Sequence, residues 1–254
     1  MWNTRRLLSS CFTGGQTQTF QGGKYWTALQ AASCDENGDK EIVELLLDKR
    51  ANPNIQGGEY GTALQAASFL GHKEIVELLF EKGADPNIQG GIYETALQAA
   101  SQKGHKEIFK LLLEKGADPN IQGGQFGTAL HIASHGRHKE IVELLFDKGA
   151  DPNIQGGKYG TPLQGASYHG DKEIIELLFD KGADPNIQGG HYETALQAAS
   201  GSYREHKDIV ELLLDKGADP KIQGGFYGTA LQAASQKGYK EIVKLLLEKG
   251  ASQM

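Results

Sequence analysis

The sequence predicts an all-α solenoid, a stack of helix-turn-helix units with projecting hairpin-like turns. Three observations predict it: one segment recurs at a near-constant period, the apolar residues after it follow helical spacing, and glycines fall at the same points of every copy. The segment Thr-Ala-Leu-Gln-Ala-Ala-Ser begins at Thr27, Thr62, Thr95, Thr194 and Thr229, with variants beginning at Thr128 and Thr161. Successive spacings are 35, 33, 33, 33, 33 and 35 residues. Both long units carry their extra residues in one place, between residues 34 and 39 and between residues 201 and 206. Length added at a single point marks a connection between helices, where it is tolerated.

Each element of a unit has a local cause. Thr62 precedes Ala63, Leu64, Gln65, Ala66 and Ala67, a short helix whose start the threonine caps and whose small side chains admit close neighbours. Gly71 ends that helix. A second helix begins at Lys73, and its apolar residues Ile75, Val76, Leu78, Leu79 and Phe80 are spread widely enough to need partners on two sides. Lys73 and Glu77 stand one turn apart on its polar face. Gly83 stops it, the chain turns outward through Asp85, Pro86 and Asn87, and Gln89-Gly90-Gly91 supplies the tip. One such unit leaves apolar surface on both flanks, so only stacking on its neighbours can bury it.

Composition is consistent with this. The chain has 254 residues, 39% hydrophobic and 23% charged, with a formal charge of −6 that gives no general basic field for nucleic acid. No apolar run approaches the ~20 residues of a membrane span. The two cysteines, Cys11 and Cys34, are too few for a disulfide framework and fit a reducing compartment, so cytosol or nucleus is expected. Residues 1–34 have arginines and no acid before Asp35, a bias seen in mitochondrial presequences. Residues 5–23 also overlay a degraded partial repeat, and residues 1–23 are expected to be that or an N-terminal cap.

These residues closely resemble the ankyrin repeat: a 33-residue period, a Thr-Pro-Leu-His-like first helix, a second helix rich in Val and Leu, then Gly-Ala-Asp-x-Asn. The resemblance covers residues 24–254 as seven units. Thr161-Pro162-Leu163 and His131 preserve halves of the tetrapeptide, and the other units read Thr-Ala-Leu-Gln. Glutamine has a donor and an acceptor and can make a ladder comparable with that of histidine. The turns depart from the family pattern by reading Gln-Gly-Gly in all seven copies. Near-identical copies of this style are similar to arrays attached to fungal NOD-like receptors. The resemblance implies a non-catalytic scaffold or adaptor that holds a partner protein on the concave face formed by turns and first helices, with no cofactor, nucleic acid or membrane involved. Two other readings are an accessory protein that assists an enzyme and a fragment of a larger ankyrin-containing receptor. The last unit ends without a polar capping helix, which suits either a docked apolar end or a longer parent chain.

Positions that differ between near-identical copies escape the demands of the stack and mark candidate partner-binding residues. The residue after Gly-Gly reads Lys24, Glu59, Ile92, Gln125, Lys158, His191 and Phe226. The end of the first helix supplies Phe69, Leu70 and Tyr168. Phe69, Leu70, Ile92 and Phe226 are expected to be exposed, a poor choice for solubility alone. Neutral drift on solvated loops would also produce such variation. A uniform aromatic row, Tyr25, Tyr60, Tyr93, Phe126, Tyr159, Tyr192 and Tyr227, is expected to form a ladder at roughly the 8–10 Å spacing of packed helices. The ladder reads either as a track for an extended peptide or as a shield for the base of each turn.

Other chemistry is set aside. His131 and His135 have the spacing of helical metal ligands, but His131 holds the family's histidine position and His138 matches His72 and His105. Gly156-Gly157-Lys158 lacks the spacing of a phosphate loop. No nucleophile, base and acid recur in a distinctive set, and no active site is expected.

Overall fold

The computed structural model describes residues 27–36 and 38–251. It has two compact units, residues 1–124 and 125–254. Lys24, Tyr25 and the degraded repeat or cap expected at 1–23 lie outside the described residues, as does the bulk of the segment with presequence-like bias.

In the first unit helices alternate in type. The short inner helices are α1 (Ala28–Ser33), α3 (Ala63–Leu70) and α5 (Ala96–Lys103). They alternate with the outer helices α2 (Lys40–Asp48), α4 (Lys73–Glu81) and α6 (Lys106–Glu114). Inner packs on inner, α1 on α3 and α3 on α5, and outer packs on outer, α2 on α4 and α4 on α6. The second unit repeats the scheme. Its inner helices are α7 (Ala129–Gly136), α9 (Pro162–His169), α11 (Ala195–Ser200) and α13 (Ala230–Lys237). Its outer helices are α8 (Lys139–Asp147), α10 (Lys172–Asp180), α12 (Lys207–Asp215) and α14 (Lys240–Glu248). Among the described residues there are no strands, only isolated antiparallel bridges such as Gly57 with Gly61 and Gly156 with Gly160 that close the turns.

The helix boundaries are chemical. The Thr62 hydroxyl accepts from the Gln65 backbone N–H at 3.2 Å while the Gln65 side chain accepts from Thr62 N–H at 2.5 Å, a reciprocal cap. Gly71 closes α3 with φ 84°, a left-handed conformation that glycine adopts without strain. Arg137 takes the same conformation after α7, φ 62°, and its guanidinium reaches the Asp171 carboxylate at 3.0 Å. That ion pair helps hold a backbone shape arginine would otherwise avoid.

Burial follows the expected division. Ala66, Ala67, Ala99 and Ala100 are fully buried between inner helices. On α4, Ile75, Val76, Leu78 and Leu79 are buried and Phe80 is half-buried. Lys73 and Glu77 lie 3.9 Å apart in the open, where a pair contributes only ~0.3–0.5 kcal/mol.

A second device joins the outer turns. Asn54 donates to Gly83 O at 3.0 Å and accepts from Asp85 N–H at 2.9 Å. In the second unit Asn186 donates to Gly217 O at 2.9 Å and accepts from Asp219 N–H at 2.8 Å. One side chain thus ties two successive turns through both its polar atoms. Asn186→Ala is expected to cost about 1 kcal/mol, because both groups it releases can be rehydrated. A thermal unfolding midpoint unchanged from wild type would refute this bracing role.

Candidate partner-binding face

The inner face of each unit is built from the turn tips and the C-terminal ends of the inner helices. Its foundation is the polar residue three after each capping threonine, buried in every described copy but the last, where Gln232 is exposed. Gln30 donates to Ile55 O at 3.0 Å and Gly61 O at 2.7 Å. Gln65 donates to Ile88 O at 2.9 Å and Glu94 O at 2.6 Å. In the second unit His131 reaches Gly160 O at 3.1 Å, and Gln164 donates to Ile187 O and Glu193 O at 3.0 and 2.9 Å. Glutamine therefore makes the comparable ladder that its chemistry allows.

The tips are tied together by backbone. Ile92 N–H donates to Glu59 O at 2.9 Å in the first unit. In the second, Lys158 N–H donates to Gln125 O, His191 N–H to Lys158 O and Phe226 N–H to His191 O, at 2.8, 2.8 and 3.1 Å. The row after Gly-Gly is thus held by its main chain whatever side chain it carries. Close approach of the turns requires the second glycine of the tip at Gly91, Gly157 and Gly190. At Gly91, φ 67°, a Cβ would lie 2.5 Å from Gly61 N and Tyr60 C of the preceding turn. All described members of this row, Glu59, Ile92, Gln125, Lys158, His191 and Phe226, are exposed.

The helix-end residues differ from expectation. Phe69 and Leu70 are half-buried, not exposed, because they pack against the buried cluster of Cys34, Tyr60 and Ala66. The Phe69 ring stacks on Tyr93 at 4.6 Å, tilts against Tyr60 at 5.8 Å and carries the Lys103 ammonium 4.8 Å above it. Tyr168 is likewise half-buried, stacked on Tyr192 at 4.8 Å.

The aromatic ladder is real but tighter than helix spacing implies. Tyr159, Tyr192 and Tyr227 stack with centroids 6.5 and 6.3 Å apart and planes within 16°. Direct hydrogen bonding between turns brings the rings closer than helix axes can come. Tyr60 and Tyr192 are buried, so these rings chiefly shield the turn bases. Burial, with help from the Tyr168 side chain, pushes the Tyr192 phenol far above its usual range.

The sequence reading missed Tyr203 and Arg204, which sit in the connection lengthened by two residues. Tyr203 is 53% exposed, edge-on to Tyr168 at 5.6 Å and 6.0 Å from His169, with the Arg204 guanidinium 5.6 Å above its ring. The signal was there: the connection spells Tyr-Arg, where most units have only a short turn and the other lengthened one, residues 34–39, has no aromatic or basic residue.

The repeat geometry is matched by known families. A family model described as "Ankyrin repeats (3 copies)" matches residues 4–90, 91–156 and 163–254, and one described as "Ankyrin repeats (many copies)" matches residues 135–179. The chain belongs to the ankyrin-repeat family. Among solved structures, the human ASB11 ankyrin repeat domain is similar, with a TM-score of 0.71 and 24% identity over 89% of this chain and 99% of that one. That likeness speaks to the fold, an all-α ankyrin solenoid. A comparison with curated proteins gave no match.

Ankyrin repeats generally mediate protein–protein interaction and are typically non-catalytic modules, and no catalytic family is indicated here. Four histidines of this ankyrin array have lowered pKa values. Burial lowers His131 to about 4 while its ring bridges two turns. Burial, then the charges of His169 and Lys158, lower His135 to about 4. His169 and His206 are also lowered, by burial first, with Arg137 adding to both. Among the described residues no group of three or more His, Cys, Asp or Glu is placed to hold a metal ion. Among them, too, no helix is long and apolar enough to cross a membrane.

Proposed function

We propose that this ankyrin array is a non-catalytic scaffold or adaptor that binds a partner protein on its inner face. The recognition residues are Glu59, Phe69, Leu70 and Ile92 in the first unit and Gln125, Lys158, Tyr168, His191 and Phe226 in the second. Lys24, outside the described residues, is assigned to the same row from its place in the repeat. One observation carries the reading. The row after Gly-Gly is fixed by backbone hydrogen bonds from turn to turn, yet its six described side chains are exposed and all differ. A rigid frame with freely chosen side chains limits the ordering cost of binding.

Residues 24–254 are read as seven repeats, and a family match beginning at residue 4 supports a degraded partial unit before them. The buried free thiol of Cys34 fits a reducing compartment, cytosol or nucleus.

Photo-crosslinking residues placed singly at Ile92, Lys158 and Phe226, and as controls at the outer-helix positions Glu143 and Glu211, test the reading in extract from the native source. One partner protein should be captured from the inner positions and not from the outer ones. Capture from the outer positions alone would place recognition on the opposite face.

A further inference from the structure

We propose that the inner face of residues 125–254 docks an extended acidic segment of the partner, its carboxylates meeting Lys158, Arg204 and Lys237 and its apolar side chains resting on Tyr203 and Phe226. This rests on the partner-binding reading above and names the chemistry of the partner.

A single network of ring contacts joins the three cations. Lys158 lies 5.8 Å above Tyr159, which leads through Tyr192 to Tyr227, and Lys237 lies 5.7 Å above that last ring. From Tyr192 the contacts branch through Tyr168 to Tyr203 and Arg204. The outermost rings are the most open: Phe226 is 67% exposed and stacks on His191 at 5.1 Å, while Tyr203 is 53% exposed. Large aromatic side chains held rigid by neighbours but facing solvent are the usual anchors of an interface.

Charge decides what settles there. Among the described residues Lys158, Arg204 and Lys237 make no salt bridge; on the outer face Lys139, Lys207 and Lys249 are paired with Glu173, Glu241 and Asp215 while Lys148, Lys221 and Lys240 are not. What sets the inner cations apart is the aromatic strip they border. The acids near the inner face are few. Asp171 is taken by Arg137 and by the start of α10, Glu193 packs against Gly224 and Gly225, and Glu205 stands exposed beside Arg204. Burial lowers the pKa of the neighbouring His135, His169 and His206, so they add no positive charge of their own at pH 7. Three unpaired cations spread along an apolar strip favour a chain that offers carboxylates at intervals between apolar side chains. Single-stranded nucleic acid also uses basic and aromatic surfaces, but it needs open ring faces. Here the ladder rings lie face to face with one another, and the chain carries a formal charge of −6.

Fluorescence anisotropy of the full chain with three labelled probes tests the proposal: a random Glu–Tyr copolymer, a Lys–Tyr copolymer and an oligothymidylate. The Glu–Tyr probe should bind, and should weaken about tenfold between about 50 and about 300 mM salt. The triple variant Lys158→Glu, Arg204→Glu, Lys237→Glu should lose about tenfold or more. An outer-face triple with the same change in charge, Lys148→Glu, Lys221→Glu, Lys240→Glu, should lose less than about twofold. Should the inner triple not fold, Tyr203→Ser with Phe226→Ser decides, with an expected loss of about fivefold. Failure of the Glu–Tyr probe to bind, equal loss in both triples, or tighter binding of the Lys–Tyr or thymidylate probe would each overturn the proposal. If crosslinking finds a partner on the inner face while the Glu–Tyr probe fails, docking stands and its acidic chemistry falls.

Discussion

Gly190→Ala is expected to destabilise the protein by about 3 kcal/mol, and Gly182→Ala by only about 1 kcal/mol. Both glycines are left-handed, with φ of 67° and 85°. A Cβ at either position therefore meets the same conformational penalty. Their surroundings separate them. At Gly182 a Cβ would have nothing within 4 Å. At Gly190 it would press on Gly160 N and lie 2.6 Å from the Tyr159 carbonyl carbon, backbone that cannot swing aside like a side-chain tip. The turn would have to lift, stretching the bond from His191 N–H to Lys158 O that fixes the binding row. Urea unfolding of the two variants side by side measures the difference. Equal losses would mean that the turns are not in direct contact.

Acid should weaken the protein through His131, and His131→Gln should remove that weakness. The folded pKa, about 4, lies below the ordinary 6.5, so the unfolded chain takes up the proton first. The stability linked to this residue is therefore complete above pH ~6.5 and is lost as pH falls toward ~4. Over that window the loss amounts to about 3 kcal/mol. Glutamine occupies the same position in the other units and makes the same bridge without titrating. At pH 7 the variant should match wild type. At pH ~4.5 it should be more stable by about 2 kcal/mol, read from unfolding midpoints at both pH values. A difference that does not change with pH would show that His131 stays neutral in both states.

Most of the fold was legible in the chain because a repeat states its rules several times over. Thr62 read as a cap, and Gly71 as a stop, from residue chemistry alone, while the reciprocal contact of Gln65 came from the structure. The turn-tip row was legible for the same reason, since Glu59, Ile92 and Phe226 differ where all else agrees. The helix-end row was less so. Phe69 and Tyr168 look like free surface residues in the sequence, and only the arrival of Tyr93 and Tyr192 from the next turn covers them. Tyr203 and Arg204 were overlooked because the one other lengthened connection, residues 34–39, shares none of their residues, so comparison between copies gives them no pattern.

The sequence by itself determined the period, the helices and their ends, and the identity of the polar bridges. Those depend on contacts within one unit or on groups every unit repeats. Tertiary structure alone decided how far apart the turns sit, and with that which aromatic side chains are covered and which cations are left without a partner. Such distances arise where one unit's backbone meets the next, and no residue records them singly.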